Sequence, residues 1–252
     1  MIRQLLRRRR KHIIIDVDTQ RDFFLAEGRA CIRNHRRILE RIRRIMAWAR
    51  IKNIPVISTC EIYPANGNGD GQHYCVDGTQ GQKKIRYTLL GKRISFPAGG
   101  GTDLPTDLLI NNRQVILNKR CVNPFDEPRI ERLLSEVRAD EFILIGACAE
   151  GAVEATALGL LQRGRNVTIV VDALGLHNHK NARLALRKMQ AKGARLVETK
   201  KIAGVSHLRK VGICSCDSCR GKRKKIAAET TAETNQPPLW ILPQPGNGSQ
   251  PS

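Results

Sequence analysis

The chain has 252 residues, of which 41% are hydrophobic, so it can bury one sizeable core and carry an appendage. Its 44 Lys and Arg against 23 Asp and Glu give a net charge of +21, which indicates either a polyanionic partner or a solvated basic surface. Only 4% of the residues are aromatic, which argues against stacking platforms for single-stranded nucleic acid, and no run approaches the ~20 apolar residues that span a bilayer.

The predicted elements alternate between strand and helix along the chain. Residues 12–17 predict the first strand, because this apolar run is too short for a secretory signal and meets acidic residues at once. Apolar residues then recur at helical spacing from 32 to 49, and Asn53 ends that helix. The later strands are predicted at 54–59, 113–119, 141–147, 166–172 and 195–198. The later helices are predicted at 126–137, 151–163 and 179–192, and the last of these is basic. Glycine-rich stretches at 65–81 and 98–101 predict loops.

This alternation predicts an α/β fold: a doubly wound, mostly parallel, Rossmann-like sheet of about five or six strands with helices on both faces, in three layers. In such sheets, ligands bind beyond the carboxyl ends of the strands. Asp18, Glu61, Lys119 and the segment 148–152 all fall at that edge. The sequence therefore predicts one site there.

Three stretches carry the chemistry of this edge: IIIDVDTQRDFF (13–24), VILNKR (115–120) and LIGACAEGAVEATALGLLQRG (144–164). Together with HYCVDGTQG (73–81), they resemble the isochorismatase-like, or cysteine hydrolase, superfamily, which includes the nicotinamidases. The resemblance covers residues 11–205. The positions that match its motifs are Asp18, Gln20, Asp22, Phe23, Lys119, Ala152, Val153, Thr156 and Ala157.

The resemblance implies a catalytic Asp18, a catalytic Lys119 and a nucleophile position at Ala152, with Gln20 and Phe23 contacting the substrate. Where the family has a thiol, Ala152 has a methyl group, which cannot attack a carbonyl. Cys148 is either a substitute nucleophile or a small buried apolar residue.

A metal is not expected at this site. Nicotinamidases carry a D-x-H pair after the second strand, whereas the matching positions here are Glu61 and Tyr63, with only His73 nearby. Two candidate ligands do not make a zinc site, so we expect no cofactor for catalysis.

Three functions follow from these observations. The leading one is hydrolysis of an amide C–N or vinyl-ether bond in a small metabolite, with Asp18 and water acting in a degenerate triad, as in isochorismatase, which lacks the Cys. The alternatives are an inactive family member (a pseudoenzyme) that binds a small molecule or partner, and a nucleic-acid-associated protein that uses the basic clusters at 7–11, 33–44 and 221–225. The resemblance also implies a homo-oligomer.

The C-terminal appendage begins near residue 206. Its C-x-C-x-x-C spacing and a preceding imidazole form either a structural zinc site, with ligands His207, Cys214, Cys216 and Cys219, or a reduced tail with reactive thiols. The composition of 226–252 predicts disorder. We thus expect a basic extension at 1–11, a domain at 12–205, a Cys-rich segment at 206–225 and a tail. Cysteines outside this group are scattered singly, which is typical of a reducing, cytoplasmic environment. Because no apolar run is long enough to span a bilayer, we expect no membrane partner.

Overall fold

In the computed structural model, which describes residues 10–65, 73–99 and 101–204, the described strands form one sheet of seven. The strands are β1 (Arg10–Val17), β2 (Val56–Glu61), β3 (Arg93–Phe96), β4 (Gln114–Lys119), β5 (Ala139–Gly146), β6 (Val167–Leu174) and β7 (Arg195–Val197). Their order is β3-β4-β2-β1-β5-β6-β7, and every neighbouring pair is parallel. All carboxyl ends therefore lie at one edge of the sheet.

Helices cover both faces of this sheet. They are α1 (Arg21–Phe24), α2 (His35–Lys52), α3 (Leu108–Asn111), α4 (Pro128–Glu136), α5 (Ala152–Gln162), α6 (His179–Ala191) and α7 (Thr199–Ala203). The strands β2 to β4 lie on one side of β1 in the sheet, and β5 to β7 lie on the other side. Right-handed crossovers therefore place the helices of the two halves on opposite faces. In agreement, α2 packs with α7, and α5 packs with α6.

The buried face of each long helix follows the 3.6-residue period. In α2, the side chains of Ile38, Ile42, Ile45 and Met46 are buried, and the exposed positions are mostly charged: Arg36, Arg37, Glu40, Ile51 and Lys52. The helix ends where Asn53 adopts a left-handed conformation at φ +53° and donates its backbone N–H to the carbonyl of Ala49. The apolar strands β1, β2, β4 and β5 supply the other half of the core.

The predicted fold class is confirmed, but the predicted strand number is wrong. The additional strand, β3, has only four residues, and its side chains alternate between exposed and half-buried at the edge of the sheet. Such a short strand between glycine-rich loops carries too little apolar periodicity to be recognised.

Three expectations fall on parts of the chain that the structure does not describe. The candidate zinc ligands His207, Cys214, Cys216 and Cys219 lie outside the described residues, as do the tail at 226–252 and the basic clusters at 7–9 and 221–225. Within the described residues, no helix is both long enough and apolar enough to cross a membrane.

Candidate active site

Asp18 follows the last residue of β1 and is fully buried at the carboxyl edge. Its φ of +47° places a non-glycine residue in the left-handed region, a strained conformation that is common at functional sites. The hydroxyl of Thr59 donates a 2.7 Å hydrogen bond to Asp18 Oδ1 and accepts one of 3.3 Å from the Asp18 backbone N–H. Thr59 therefore fixes one carboxylate oxygen, and Oδ2 is directed to a different partner.

That partner is Lys119, the last residue of β4. Its Nζ lies 2.8 Å from Asp18 Oδ2, 2.9 Å from Glu61 Oε1 and 2.9 Å from the carbonyl oxygen of Cys121. Strand β2 lies between β1 and β4, and the long side chain of Lys119 spans this gap. Burial opposes the ammonium charge, but the two carboxylates outweigh it, so the pKa of Lys119 is raised.

Glu61, at the end of β2, is the second carboxylate of this cluster. Its Oε1 accepts from Lys119, and its Oε2 accepts a 3.1 Å hydrogen bond from the hydroxyl of Tyr63. Burial, followed by the nearby charge of Asp18, raises the pKa of Glu61 to about 7. Near neutral pH this carboxyl therefore changes between its charged and its neutral form. The sequence placed Glu61 at this edge but did not predict that it titrates there. The available signal was a polar residue ending a buried strand.

Gln20 holds the end of β2 in place. Its Nε2 donates to the carbonyl oxygens of Glu61 (2.7 Å) and Gln82 (2.8 Å), and its Oε1 accepts from the Glu61 backbone N–H at 2.8 Å. Each of its polar atoms thus bonds to the backbone. These contacts give Gln20 a positioning role, and the expected contact with substrate stays a prediction.

Three aromatic rings lie beside the cluster. The ring of Phe23 lies 5.2 Å from that of Tyr74, which meets Tyr63 edge-on at 5.8 Å. Phe23 is buried, whereas the two tyrosines are half-buried and therefore border solvent. Burial, then the charge of Glu61, raises the pKa of Tyr74 to about 12, so its hydroxyl stays neutral beside the carboxylates. The expected contact of Phe23 with substrate stays a prediction.

The turn after β5 brings Ala152 to the same edge of the sheet. Gly146, which ends β5, has φ +126°, and a Cβ there would lie 1.9 Å from the carbonyl oxygen of Val17 on β1. Only glycine allows the two strand ends to come this close. Ala152 then begins α5 as a buried methyl group.

Cys148 lies within this turn and is half-buried. Burial, and then the carboxylates of Glu150, Glu61 and Asp18, raise the pKa of its thiol far above the ordinary value. A thiol that stays protonated is a weak nucleophile, which favours the interpretation of Cys148 as a buried apolar residue.

The residues present do not fit a catalytic metal. Among the described residues, no group of three His, Cys, Asp or Glu side chains is placed to hold an ion. Glu61 is bound by the ammonium of Lys119 and the hydroxyl of Tyr63, while His73 is exposed on the surface. A buried ammonium beside Glu61 opposes any cation there.

A groove of about 700 Å³ lies elsewhere on the surface, between α5 and the 3-10 turn Pro124–Asp126. Phe125, Glu131, Glu154 and Lys188 are among its lining residues, which do not include Asp18, Lys119 or Glu61. Its lining also includes Gly151, the residue directly before Ala152.

A doubly wound sheet whose carboxyl edge holds a buried Asp–Lys pair beside a strand-to-helix turn defines a hydrolase-like α/β domain. The Isochorismatase domain family matches residues 12–201, and the chain belongs to this isochorismatase-like hydrolase family. No curated protein matches the chain by sequence.

Solved structures share the fold at low sequence identity. The pyrazinamidase of Pyrococcus horikoshii, in complex with zinc, is 22% identical with a TM-score of 0.59, covering 75% of this chain and 99% of its own. The nicotinamidase of Bacillus subtilis is 18% identical with a TM-score of 0.61, covering 75% and 100%. The MAR1 ribonuclease of Caenorhabditis elegans is 23% identical with a TM-score of 0.55, covering 94% and 96%.

Proposed function

We propose that this protein hydrolyses a small polar metabolite at an amide C–N or vinyl-ether bond, with Asp18 as the proton-transfer group and water as the nucleophile. The observation that carries this proposal is the ion pair of 2.8 Å between Asp18 Oδ2 and Lys119 Nζ at the carboxyl edge. Apart from this ion pair, Oδ2 has no hydrogen-bond partner among the described residues, so it is the oxygen able to receive or deliver a proton.

Each neighbour has a defined part in this chemistry. The ammonium of Lys119 stabilises negative charge that develops beside Asp18, and in a buried site this effect is stronger than in water. Ala152 occupies the position from which a thiol would attack, so no covalent intermediate forms there. The rings of Tyr63 and Tyr74 border the cluster and give a small planar substrate an apolar surface.

The test is a hydrolysis assay on a panel comprising nicotinamide, pyrazinamide, N-carbamoylsarcosine and isochorismate, with water labelled by ¹⁸O. Asp18→Asn should lower kcat/KM on any active substrate by at least about 100-fold, the usual contribution of a general acid–base group. The label should enter the product without any adduct on the protein by intact mass.

Two variants serve as controls. Asp16→Asn removes a similar buried ion pair, in which Oδ2 lies 2.9 Å from Lys84 Nζ, two residues before the site on the same strand. It should destabilise the fold while keeping activity in the folded fraction. Cys148→Ala should keep full activity, and an acyl adduct on Cys148 of the parent protein would refute the proposal.

A second candidate is hydrolysis of a phosphodiester bond in RNA. The specific observation in its favour is the likeness to a ribonuclease along 94% of this chain, combined with the net charge of +21. In that reaction, Asp18 would remove the proton from a 2′-hydroxyl, whose oxygen attacks the phosphorus while the bond to the 5′-oxygen breaks and that oxygen takes a proton from water. Lys119 would stabilise the charged phosphorus centre, and water would then open the resulting 2′,3′-cyclic phosphate to complete the hydrolysis. Adding a fluorescent RNA to the same panel distinguishes the two, because only this candidate predicts RNA cleavage that Asp18→Asn abolishes.

A further inference from the structure

We propose that the exposed face of α6 is a binding surface for the phosphate backbone of a nucleic-acid duplex. The helix divides cleanly into two faces. Its buried face consists of Ala182, Ala185, Leu186 and Met189. Its exposed face carries a stripe at helical spacing, formed by Lys180, Arg183, Leu184, Arg187 and Lys188, which Lys192 extends beyond the helix end. The other exposed residues of the helix carry no acidic group: His179, Asn181, Gln190 and Ala191.

The charge of this stripe has little internal compensation. No Asp or Glu occurs between residues 173 and 197. Lys188 forms an ion pair of 2.8 Å with Glu154, whereas Lys180, Arg183, Arg187 and Lys192 have no ion pair or side-chain hydrogen bond within the described part of the chain. Four cations on one side of one helix are therefore available to an external anion.

The basic cluster on α2 is different, although it is the one that the sequence makes conspicuous. Arg41 forms an ion pair of 3.5 Å with Asp172, and the guanidinium of Arg43 lies 4.9 Å from the ring centre of Tyr87. Arg44 donates to the carbonyl oxygen of Gly204. Arg41, Arg43 and Arg44 therefore contact other parts of the domain, although Arg33 and Arg37 of the same cluster are exposed. Arg183 and Arg187 of α6 have no such partner among the described residues.

The chemistry of the stripe favours nucleic acid over the other polyanions. Leu184 is its only apolar side chain, which is too little to insert into a lipid bilayer. Guanidinium groups donate bidentate hydrogen bonds to phosphate oxygens. The stripe has no aromatic residue on which unpaired bases could stack, so a duplex fits it better than a single strand.

The position of the stripe links it to the candidate site. Glu150, in the turn before α5, accepts 2.7 Å hydrogen bonds from the backbone N–H groups of His177 and Asn178, which directly precede α6. The helix thus begins at the carboxyl edge of the sheet, beside the turn that carries Ala152. A duplex bound along the stripe would reach this edge at its Lys180 end.

The experiment measures binding of the full chain to a fluorescent 20-base-pair RNA duplex, with salt varied from 50 to 200 mM. We compare the parent with the triple variant Lys180→Gln, Arg183→Gln, Arg187→Gln. Each lost phosphate contact should reduce the slope of log affinity against log salt by about 0.9, so the triple variant should reduce it by about 2.7. A DNA duplex of the same sequence, a single strand and anionic phosphatidylserine vesicles form the other arms.

The matched control is the triple variant Arg33→Gln, Arg37→Gln, Lys201→Gln. It removes the same charge from three exposed positions, of which Arg33 lies shortly before α2, Arg37 in α2 and Lys201 in α7. It should leave the slope unchanged. Equal effects of both triple variants would show an unspecific charge effect and would overturn the proposal. An unchanged slope in the α6 variant, or tighter binding to vesicles than to the duplex, would overturn it as well. DNA binding equal to RNA binding would assign the surface to duplex backbones in general. Since binding is measured without turnover, the result does not depend on whether Asp18 cleaves any bond.

Discussion

Replacing Glu61 by Gln should change how the stability of the protein depends on pH. Folding raises the pKa of this carboxyl from its ordinary 4.5 to about 7, first by burial and then through the charge of Asp18. A group whose pKa is raised in the folded state contributes stability that is fully present below the unfolded pKa. That contribution is lost as the pH rises through the folded pKa.

The size of this effect follows from linkage. Each unit of difference between the folded and the unfolded pKa corresponds to about 1.4 kcal/mol. The contribution of Glu61 to the free energy of unfolding should therefore fall by roughly 3 kcal/mol between pH 4.5 and pH 8. Gln has nearly the same shape, keeps an oxygen for Lys119 and does not titrate. Relative to the parent, Glu61→Gln should therefore gain roughly 3 kcal/mol in unfolding free energy across this pH range.

Urea denaturation of both proteins at half-unit steps from pH 5 to pH 8 measures this difference directly. Glu131→Gln serves as the control, because Glu131 forms an ion pair with Arg163 on the surface of α4, away from the cluster. Its stability should differ from the parent by a constant amount. Asp18→Asn should also flatten the dependence, since it removes a charge that raises the Glu61 pKa. Parallel curves for the parent and Glu61→Gln would refute the assignment of the titrating group.

Other substitutions test the remaining parts of the site. Ala152→Cys should give a thiol that reacts with iodoacetamide faster than Cys148 of the parent, because Lys119 and the N-terminus of α5 favour a thiolate. Intact mass measures both rates, and equal rates would contradict this reasoning. Thr59→Val should cost about 1 to 3 kcal/mol in urea denaturation, since it leaves Asp18 Oδ1 without its hydroxyl donor. Gly146→Ala should cost at least about 3 kcal/mol or prevent folding, because a Cβ would collide with a carbonyl oxygen of β1.

The sequence could predict which residues of the site lie at the ends of strands. Apolar runs that stop at a polar residue place Asp18 and Lys119 at the carboxyl edge of a parallel sheet, and the structure joins them in an ion pair. The spatial order of the strands could not be predicted, because periodicity does not say which strands are neighbours. For this reason the position of β2 between them, and with it the role of Glu61, required the structure.

The same limit applies to surfaces. The sequence identified α6 as a basic helix and the segment 33–44 as a basic cluster, and it had no means to rank them. The difference lies in tertiary contacts: Arg41, Arg43 and Arg44 have partners from distant parts of the chain. Charge counted along a sequence includes cations that already have partners within the fold.

Burial of charge does not by itself mark a functional residue in this protein. Asp16, two residues before Asp18 and within β1, forms an equally buried ion pair with Lys84, and Ser58 completes that network. A buried ion pair is also weak evidence for stability, because apolar replacements are often as stable.

Three further features separate Asp18 from Asp16. Asp18 lies beyond the strand end, its backbone has φ +47°, and the half-buried side chains of Tyr63 and Cys148 are close enough for its charge to raise their pKa. Asp16 lies within β1, in extended backbone. The carboxylate of Asp18, which has the strained backbone and half-buried neighbours, is therefore the group to which we assign the chemistry, and not that of Asp16 inside the sheet.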